Sequence, residues 1–315
     1  MRYDGPLGAL RRHYTRLTQS LNFAAYAARP ALTALSGAGR TPPAHPPHHA
    51  MGLTFRNPIG IAAGFDRRGL LAPYRDRLGF GHIELGTLCR YPQPGAYPGI
   101  STLARLRRHP SSDCPLGINI GLNPGRNPAQ AQADLLYCQR VAWRVADYLC
   151  LNLGNANARW LLQPEHEAEL NDTLRALTDQ QRRLSAVNGR AVPLVVKLVL
   201  DLERPDRLPA LPPILPLLPT FGIAGVVLAL DRGKPVTAEK IHAWRQRTWQ
   251  DLACELTRQG RALLGADTAL IVVGGIGSEQ DIRHRLNAGA DLVQVHNGLL
   301  HSRRTLLDSL AKPYG

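Results

Sequence analysis

Beyond residue 50 the chain repeats one pattern: a short apolar run closed by glycine, an amide or a charge, usually followed by a stretch in which apolar positions return every three or four residues. The runs are Ile59–Ala62, His82–Leu85, Leu116–Ile120, Tyr148–Asn152, Leu194–Leu198, Gly225–Ala229, Leu270–Val273 and Leu292–His296. Apolar on both faces, they read as parallel strands covered by helices. Eight strand–helix units in about 260 residues are what a closed (β/α)8 barrel requires. A doubly wound open sheet is the alternative, but no Gly-x-Gly-x-x-Gly turn follows the first run. The pattern predicts an α/β chain: a TIM barrel over residues 51–315 behind an N-terminal extension, residues 1–50.

In that extension Leu10, Tyr14, Leu17 and Leu21 recur at helical spacing, with Arg11, Arg12 and Arg16 on other faces. This describes a basic amphipathic helix, suited to peripheral contact with a membrane or to packing on the body of the protein. Pro30 interrupts it, and Thr41–His49, dense in Pro and His, reads as an extended linker. His45, His48 and His49 read there as solvated rather than ligating, so no metal site is expected.

Composition narrows the picture. Hydrophobic residues at 44% against 20% charged residues argue for a sizeable core and against disorder or a coiled coil. The net charge of +14 raises nucleic acid as a partner, yet the arginines are scattered, without an RNA-binding signature or zinc-finger spacing, so none is expected. Five cysteines without Cys-x-x-Cys spacing suggest neither a disulfide framework nor zinc and fit a reducing, cytoplasmic compartment. The N-terminus never builds a clean apolar signal core. The 23 uncharged residues Leu208–Leu230 contain Pro209, Pro212, Pro213, Pro216 and Pro219, which exclude a spanning helix. The expected location is the cytoplasm, at most peripheral on the inner face of the cell membrane.

In a barrel the site lies at the C-terminal strand ends. Those ends carry Ala62-Ala63-Gly64, Gly86-Thr87, Asn119, Asn152, Lys197, Asp231, Gly274-Gly275 and His296-Asn297. Glycines let a flat ligand or a phosphate approach the backbone, and carboxamides donate and accept at the edge of a heterocycle. Gly274-Gly-Ile-Gly-Ser278 precedes a predicted helix over Glu279–Ala288, so its amides suit a phosphate, although tight strand-to-helix turns also use glycine. Lys197 is the only Lys in the first 233 residues. It reads as a stabiliser of negative charge on an electron-accepting ring, or as half of a salt bridge. Asn152, Asn155 and Asn157 share one loop, as turn formers or as ligand contacts.

These residues carry a resemblance to the dihydroorotate dehydrogenases, chiefly the membrane-associated, quinone-using class. It runs through Met51-Gly-Leu-Thr-Phe-Arg-Asn-Pro-Ile-Gly-Ile-Ala-Ala-Gly-Phe-Asp66, Glu84-Leu-Gly-Thr87, Pro92-Gln-Pro-Gly95 and Leu116-Gly-Ile-Asn-Ile-Gly121. It continues in Ala146-Asp-Tyr148, Pro193-Leu-Val-Val-Lys197, Val273-Gly-Gly275 and Ala288-Gly-Ala-Asp-Leu-Val-Gln294. The resemblance implies a barrel holding FMN over its mouth, with the phosphate at the last two strands, a small-molecule substrate, and a quinone near the N-terminal helix. It assigns FMN to Ala62, Ala63, Gly64, Arg67, Gly86, Thr87, Asn119, Asn152, Lys197, Gly274, Gly275, His296 and Asn297. It assigns substrate to Asn119, Asn152, Asn157 and Asp231.

The departures are specific. The family's proton-abstracting Ser or Cys on the loop after the fourth strand aligns with Asn155, and a carboxamide does not accept a proton at useful pH. Only 20 residues separate Gly95 from Leu116, and the family's Asn-Arg-x-Gly-Phe-Asn element is absent. Leu230-Asp-Arg232 stands in place of Asn-Thr-Thr, and Arg67 in place of a Lys. Two functions are compatible with this: an FMN-dependent oxidoreductase with an altered substrate site, or a degenerate barrel kept as a binding or scaffold protein.

Overall fold

The computed structural model describes residues 47–200, 202, 208–231 and 237–301, with 306, 309, 310, 313 and 314. The amphipathic helix, His45 and most of the linker lie outside the described residues. The linker's last two residues are in a strand: β1 (His48–Ala50) pairs antiparallel with β2 (Leu53–Phe55), His48 opposite Phe55. Met51 and Gly52 turn between them with φ of 56° and 72°. Positive φ at both central residues matches the right-handed twist of the two strands, and this geometry overrides the Pro- and His-rich composition around it.

Eight parallel strands follow: β3 (Ile59–Asp66), β4 (His82–Leu88), β5 (Leu116–Ile120), β6 (Tyr148–Asn152), β7 (Leu194–Val199), β8 (Gly225–Ala229), β9 (Ala269–Val273) and β10 (Leu292–Val295). They close into a barrel in chain order, β10 pairing with both β9 and β3. Helices α1 (Pro128–Ala142), α2 (Glu167–Asn188), α3 (Ala238–Arg245), α4 (Arg247–Leu264), α5 (Glu279–Asn287) and α6 (Asn297–His301) cover it. Only short 3-10 turns, Ala72–Arg77 and Ile100–Arg105, follow β3 and β4, and another, Leu215–Phe221, precedes β8. Pro73 opens the first of these, and Pro216 and Pro219 sit within the last, where missing N–H groups stop a longer α-helix. Among the described residues no helix is long and apolar enough to cross a membrane.

Strand residues alternate between two cores. Ile59, Ile61, Ile83, Leu85, Ile118 and Leu149 face the helical sheath, whereas Ala62, Tyr148, Cys150, Val195, Val227 and Ile271 fill the barrel interior. The hairpin plugs the interior from below. Phe55 is fully buried and meets the His82 ring edge to face at 5.6 Å, and Met51 lies against Gly225. His82 and Tyr148 continue this layer of rings, and they explain two glycines. A Cβ at Gly60 would stand 2.1 Å from the His82 ring, and one at Gly117 2.1 Å from the Tyr148 ring.

Candidate active site

Above the rings the barrel interior is polar. Glu84, fully buried on β4, receives Asn119 Nδ2 on Oε1 at 2.8 Å, and on Oε2 both Tyr148 OH at 3.2 Å and Gln294 Nε2 at 2.9 Å. Three donors from β5, β6 and β10 thus meet one carboxyl, which satisfies a group that would otherwise be expensive to bury. Burial beside Glu84 drives the Tyr148 hydroxyl well above its ordinary pKa, so it stays a donor, and burial does the same to the Cys150 thiol. In the sequence Glu84, Tyr148 and Gln294 stand within apolar runs and resemblance motifs that assign them no role. Their signal is period two: Glu84 and Gln294 are the polar alternates in His82-Ile-Glu-Leu85 and Leu292-Val-Gln-Val295.

This layer supports the mouth. Asn119 Oδ1 accepts from Thr87 Oγ1 at 2.7 Å and from Asn152 Nδ2 at 3.2 Å, and Thr87 Oγ1 also accepts from Asn152 Nδ2 at 2.8 Å. Thr87, Asn119 and Asn152 are therefore one connected group, held from beneath by Glu84. Asn155 is beside it: a Cβ at Gly121 would meet Thr87 Cγ2 at 2.6 Å and Asn155 Nδ2 at 2.9 Å. Its Oδ1 accepts from Asn157 N at 2.9 Å and from Tyr97 OH at 3.4 Å, while its buried Nδ2 has no partner among the described residues. Tyr97, which sequence reading missed, reaches the site because Arg67 Nη1 holds Ala96 O at 3.0 Å. Desolvation raises the Tyr97 pKa against the opposing pull of Arg67. Asn157 turns its own amide to Leu122 O at 3.1 Å and braces the loop.

Lys197 is half-buried and lies in register with Asn152 on one side and Val227 on the other. Its charge reaches the Cys150 thiol and opposes part of the rise there. No carboxylate among the described residues forms a salt bridge with it.

The last two strand ends differ from expectation in one respect. The amides of Gly277 and Ser278 do not face a ligand: both donate to Asp281 Oδ2 at 2.9 Å, within the capping box that starts α5. A Cβ at Gly275 would lie 2.0 Å from the Trp249 ring, so a side chain there collides with the indole rather than with a ligand. Gly274 faces Asp231, whose Oδ2 would be 3.0 Å from an added Cβ. Across the mouth, His296 Nε2 would stand 3.4 Å from a Cβ at Gly64, and its Nδ1 shares a 2.7 Å hydrogen bond with Asn297 Oδ1. Ala62 belongs to the apolar interior, Ala63 is half-buried beside it, and Gly86 packs on Asn119 O at the foot of the cluster.

The residues present fit the ring of a flavin. Asn152 Oδ1 and Asn155 Nδ2, one acceptor and one donor, are buried without partners among the described residues, next to a lysine that pairs with no carboxylate among them and a rim of small residues. Among the described residues no group of three His, Cys, Asp or Glu is arranged to hold a metal ion.

A sequence model described as dihydroorotate dehydrogenase matches residues 98–312. The chain is 32% identical over 310 residues to dihydroorotate dehydrogenase (quinone) of Paraburkholderia phymatum, covering 89% of this chain and 88% of that one. It is 33% identical over 296 residues to the protein of the same name from Burkholderia pseudomallei, covering 84% of each. The crystal structure of the Eimeria tenella enzyme in complex with ferulenol shares the fold, with a TM-score of 0.66 at 20% identity over 98% of this chain and 92% of that one. With a barrel whose mouth gathers Thr87, Asn119, Asn152 and Lys197, and relatives that match along most of its length, the chain belongs to the dihydroorotate dehydrogenase family.

Proposed function

We propose that the protein is an FMN-dependent oxidoreductase that dehydrogenates a CH–CH bond of a small acid, and that its substrate site has diverged so far that dihydroorotate itself is a poor substrate. The observation that carries this reading is Asn155. By the resemblance it aligns with the family's proton-abstracting residue, and its Oδ1 is engaged by Asn157 N and Tyr97 OH. A carboxamide cannot serve as base, and general-base assistance is typically worth about 10²–10⁴-fold in rate.

Thr87, Asn119 and Asn152 would hold the ring edge, Lys197 would place positive charge beside it, and the Gly274-Gly275 and His296-Asn297 backbones would take the phosphate. FMN, when bound, supplies the hydride acceptor. Asn152 and Asn155 present their unpartnered amide atoms to the ligand, and the Glu84 layer fixes their geometry from below. Asp231 and His296 are the titratable groups at the other strand ends and would address a substrate oriented differently from dihydroorotate. The short Ala96–Pro115 segment, lacking the Asn-Arg-x-Gly-Phe-Asn element, removes further contacts to an orotate-like acid. A quinone as electron acceptor, with the N-terminal helix resting on the membrane surface, completes the proposal and agrees with the names of the relatives.

The test is anaerobic mixing of FMN-loaded protein with dihydroorotate while the flavin absorbance is followed. Little bleaching within a second is expected, and rapid full reduction would overturn the altered-site reading. The same Asn155 also favours a non-catalytic barrel. Protein that stays colourless and takes up no FMN would select that reading instead.

A further inference from the structure

On the outside of the barrel, near the N-terminal end of β5 and away from the mouth, the Ala72–Arg77 turn and the segment 105–109 border an open cavity of about 110 Å³. Arg75, Arg105, Arg107 and His109 line it together with apolar residues, and no carboxylate does. Arg75 is 2% exposed. Its Nε donates to Cys114 O and its Nη1 to Ala72 O, both at 2.9 Å, and Nη2 has no partner among the described residues. The acids that flank the cavity are engaged elsewhere: Asp113 binds Arg56, and Asp76 accepts from Arg56 and Ser112. Arg105 spends one nitrogen on Arg68 O, and exposed Arg107 makes no hydrogen bond or ion pair among the described residues.

A buried guanidinium with two neutral carbonyls and no counter-ion is costly, because the carbonyls satisfy its N–H groups without compensating its lost hydration. Two further guanidiniums beside the same cavity raise that cost by mutual repulsion. An anion from outside the chain relieves both. The cavity is several times the 10–15 Å³ or so that one water needs, and the planar forks of arginine match tetrahedral oxyanions in bidentate fashion. We propose that this cavity is a binding site for a phosphate-type oxyanion, with Arg75 at its floor and Arg105 and Arg107 at its rim. The phosphate group belongs to a free phosphate or phosphomonoester, or to the headgroup of an anionic phospholipid, and the two sources separate by experiment.

The full chain is titrated with inorganic phosphate in phosphate-free buffer, by calorimetry and by thermal unfolding, at ionic strength held constant with sodium chloride. In parallel it is cosedimented with phosphatidylcholine vesicles with and without phosphatidylglycerol. A free-phosphate site gives saturable heat and a rise in Tm that chloride does not reproduce, and Arg107→Gln weakens the binding about tenfold or more. A headgroup site gives cosedimentation only with phosphatidylglycerol, reduced by Arg107→Gln and not by Arg175→Gln on the exposed face of α2. Arg75→Met abolishes either response. In phosphate-free buffer it also leaves the protein at least as stable as the unmodified chain, the opposite of what a purely structural arginine would do. Arg107 is exposed, so its variant keeps the proposal falsifiable should Arg75→Met fail to fold. If neither phosphate nor phosphatidylglycerol produces a response that Arg107→Gln diminishes, the site does not exist.

Discussion

Replacing Glu84 by leucine removes the acceptor for three buried donors at once. Tyr148 OH has no other acceptor among the described residues, whereas Gln294 Nε2 keeps the Tyr148 oxygen and Asn119 Nδ2 keeps the Cys150 sulfur at 3.3 Å as weak second acceptors. An unsatisfied buried donor costs about 1–3 kcal/mol, so one full loss and two partial losses come to roughly 2–6 kcal/mol. A domain of ordinary stability has only about 5–15 kcal/mol in reserve. Glu84→Gln is different. Gln294 Oε1 is buried without a partner, so rotating that amide turns a donor into an acceptor toward the new NH2 group. The loss should then stay near 1–2 kcal/mol. Urea denaturation followed by circular dichroism measures both variants. FMN affinity should fall in Glu84→Gln as well, since Asn119 positions Thr87 and Asn152. If Glu84→Leu unfolds within about 1 kcal/mol of the unmodified protein, the carboxyl does not organise the interior and the reasoning fails.

Burial lowers the His82 pKa from 6.5 to about 3, helped by His48 nearby. The unfolded chain therefore binds the proton first, and stability present above pH 6.5 is lost as pH falls toward 3, by up to about 5 kcal/mol from this one ring. His82→Phe should flatten that part of the stability profile, and an unchanged acid limb would show that the ring titrates normally. Gly60→Ala should cost more than about 3 kcal/mol, because the backbone cannot yield to a Cβ placed against a fully buried ring; a thermal midpoint within a few degrees of the unmodified protein would show that the His82 ring moves aside. In FMN-loaded protein Lys197→Ala should lower the flavin midpoint potential, and Asn155→Ser alone should restore little dihydroorotate oxidation, because the Ala96–Pro115 segment is also changed. An unmoved potential, or turnover rescued by the single serine, would overturn those two roles. Deleting residues 1–40 should weaken salt-sensitive cosedimentation with anionic vesicles, each basic residue near the lipid being worth about 1 kcal/mol; equal sedimentation of the truncated chain would show that the N-terminal helix makes no membrane contact.

The barrel was legible because parallel strands are buried on both faces and so stand out as unbroken apolar runs between helical stretches. The β1–β2 hairpin was not legible in the pattern; only the resemblance pointed to it, since Met51–Asp66 looks like the family's entry hairpin and first flavin-binding loop. Its first strand, His48-His-Ala50, has the composition of the linker before it, and only the positive φ values at Met51 and Gly52 and the packing of Phe55 on His82 make it a plug. The rim of the site followed from strand ends alone, since in a closed barrel the end of each run maps to one face. Direction around the backbone was not readable in this way. Gly275 looks like a cradle in sequence, yet its open side is filled by Trp249, a residue 26 positions earlier that no local pattern connects to it.

The polar layer shows why such couplings escape a linear reading. Glu84 and Gln294 are 210 residues apart and meet only because β10 closes on β3, next to β4. Within each run a single polar residue looks like noise among apolar neighbours. Taken in pairs across the closure they become a requirement, because neither side chain could be buried without the other. The consequence is a division of labour. In the network from Glu84 through Asn119 to Thr87 and Asn152 the carboxyl is met by three donors below while Asn152 Oδ1 is left open above, a geometry suited to a flat ring. Asn155, Tyr97 and the short segment beside them lie outside that network. Substitutions there alter what the mouth accepts without loosening the barrel, which is how a family fold can keep its cofactor frame while its substrate chemistry drifts.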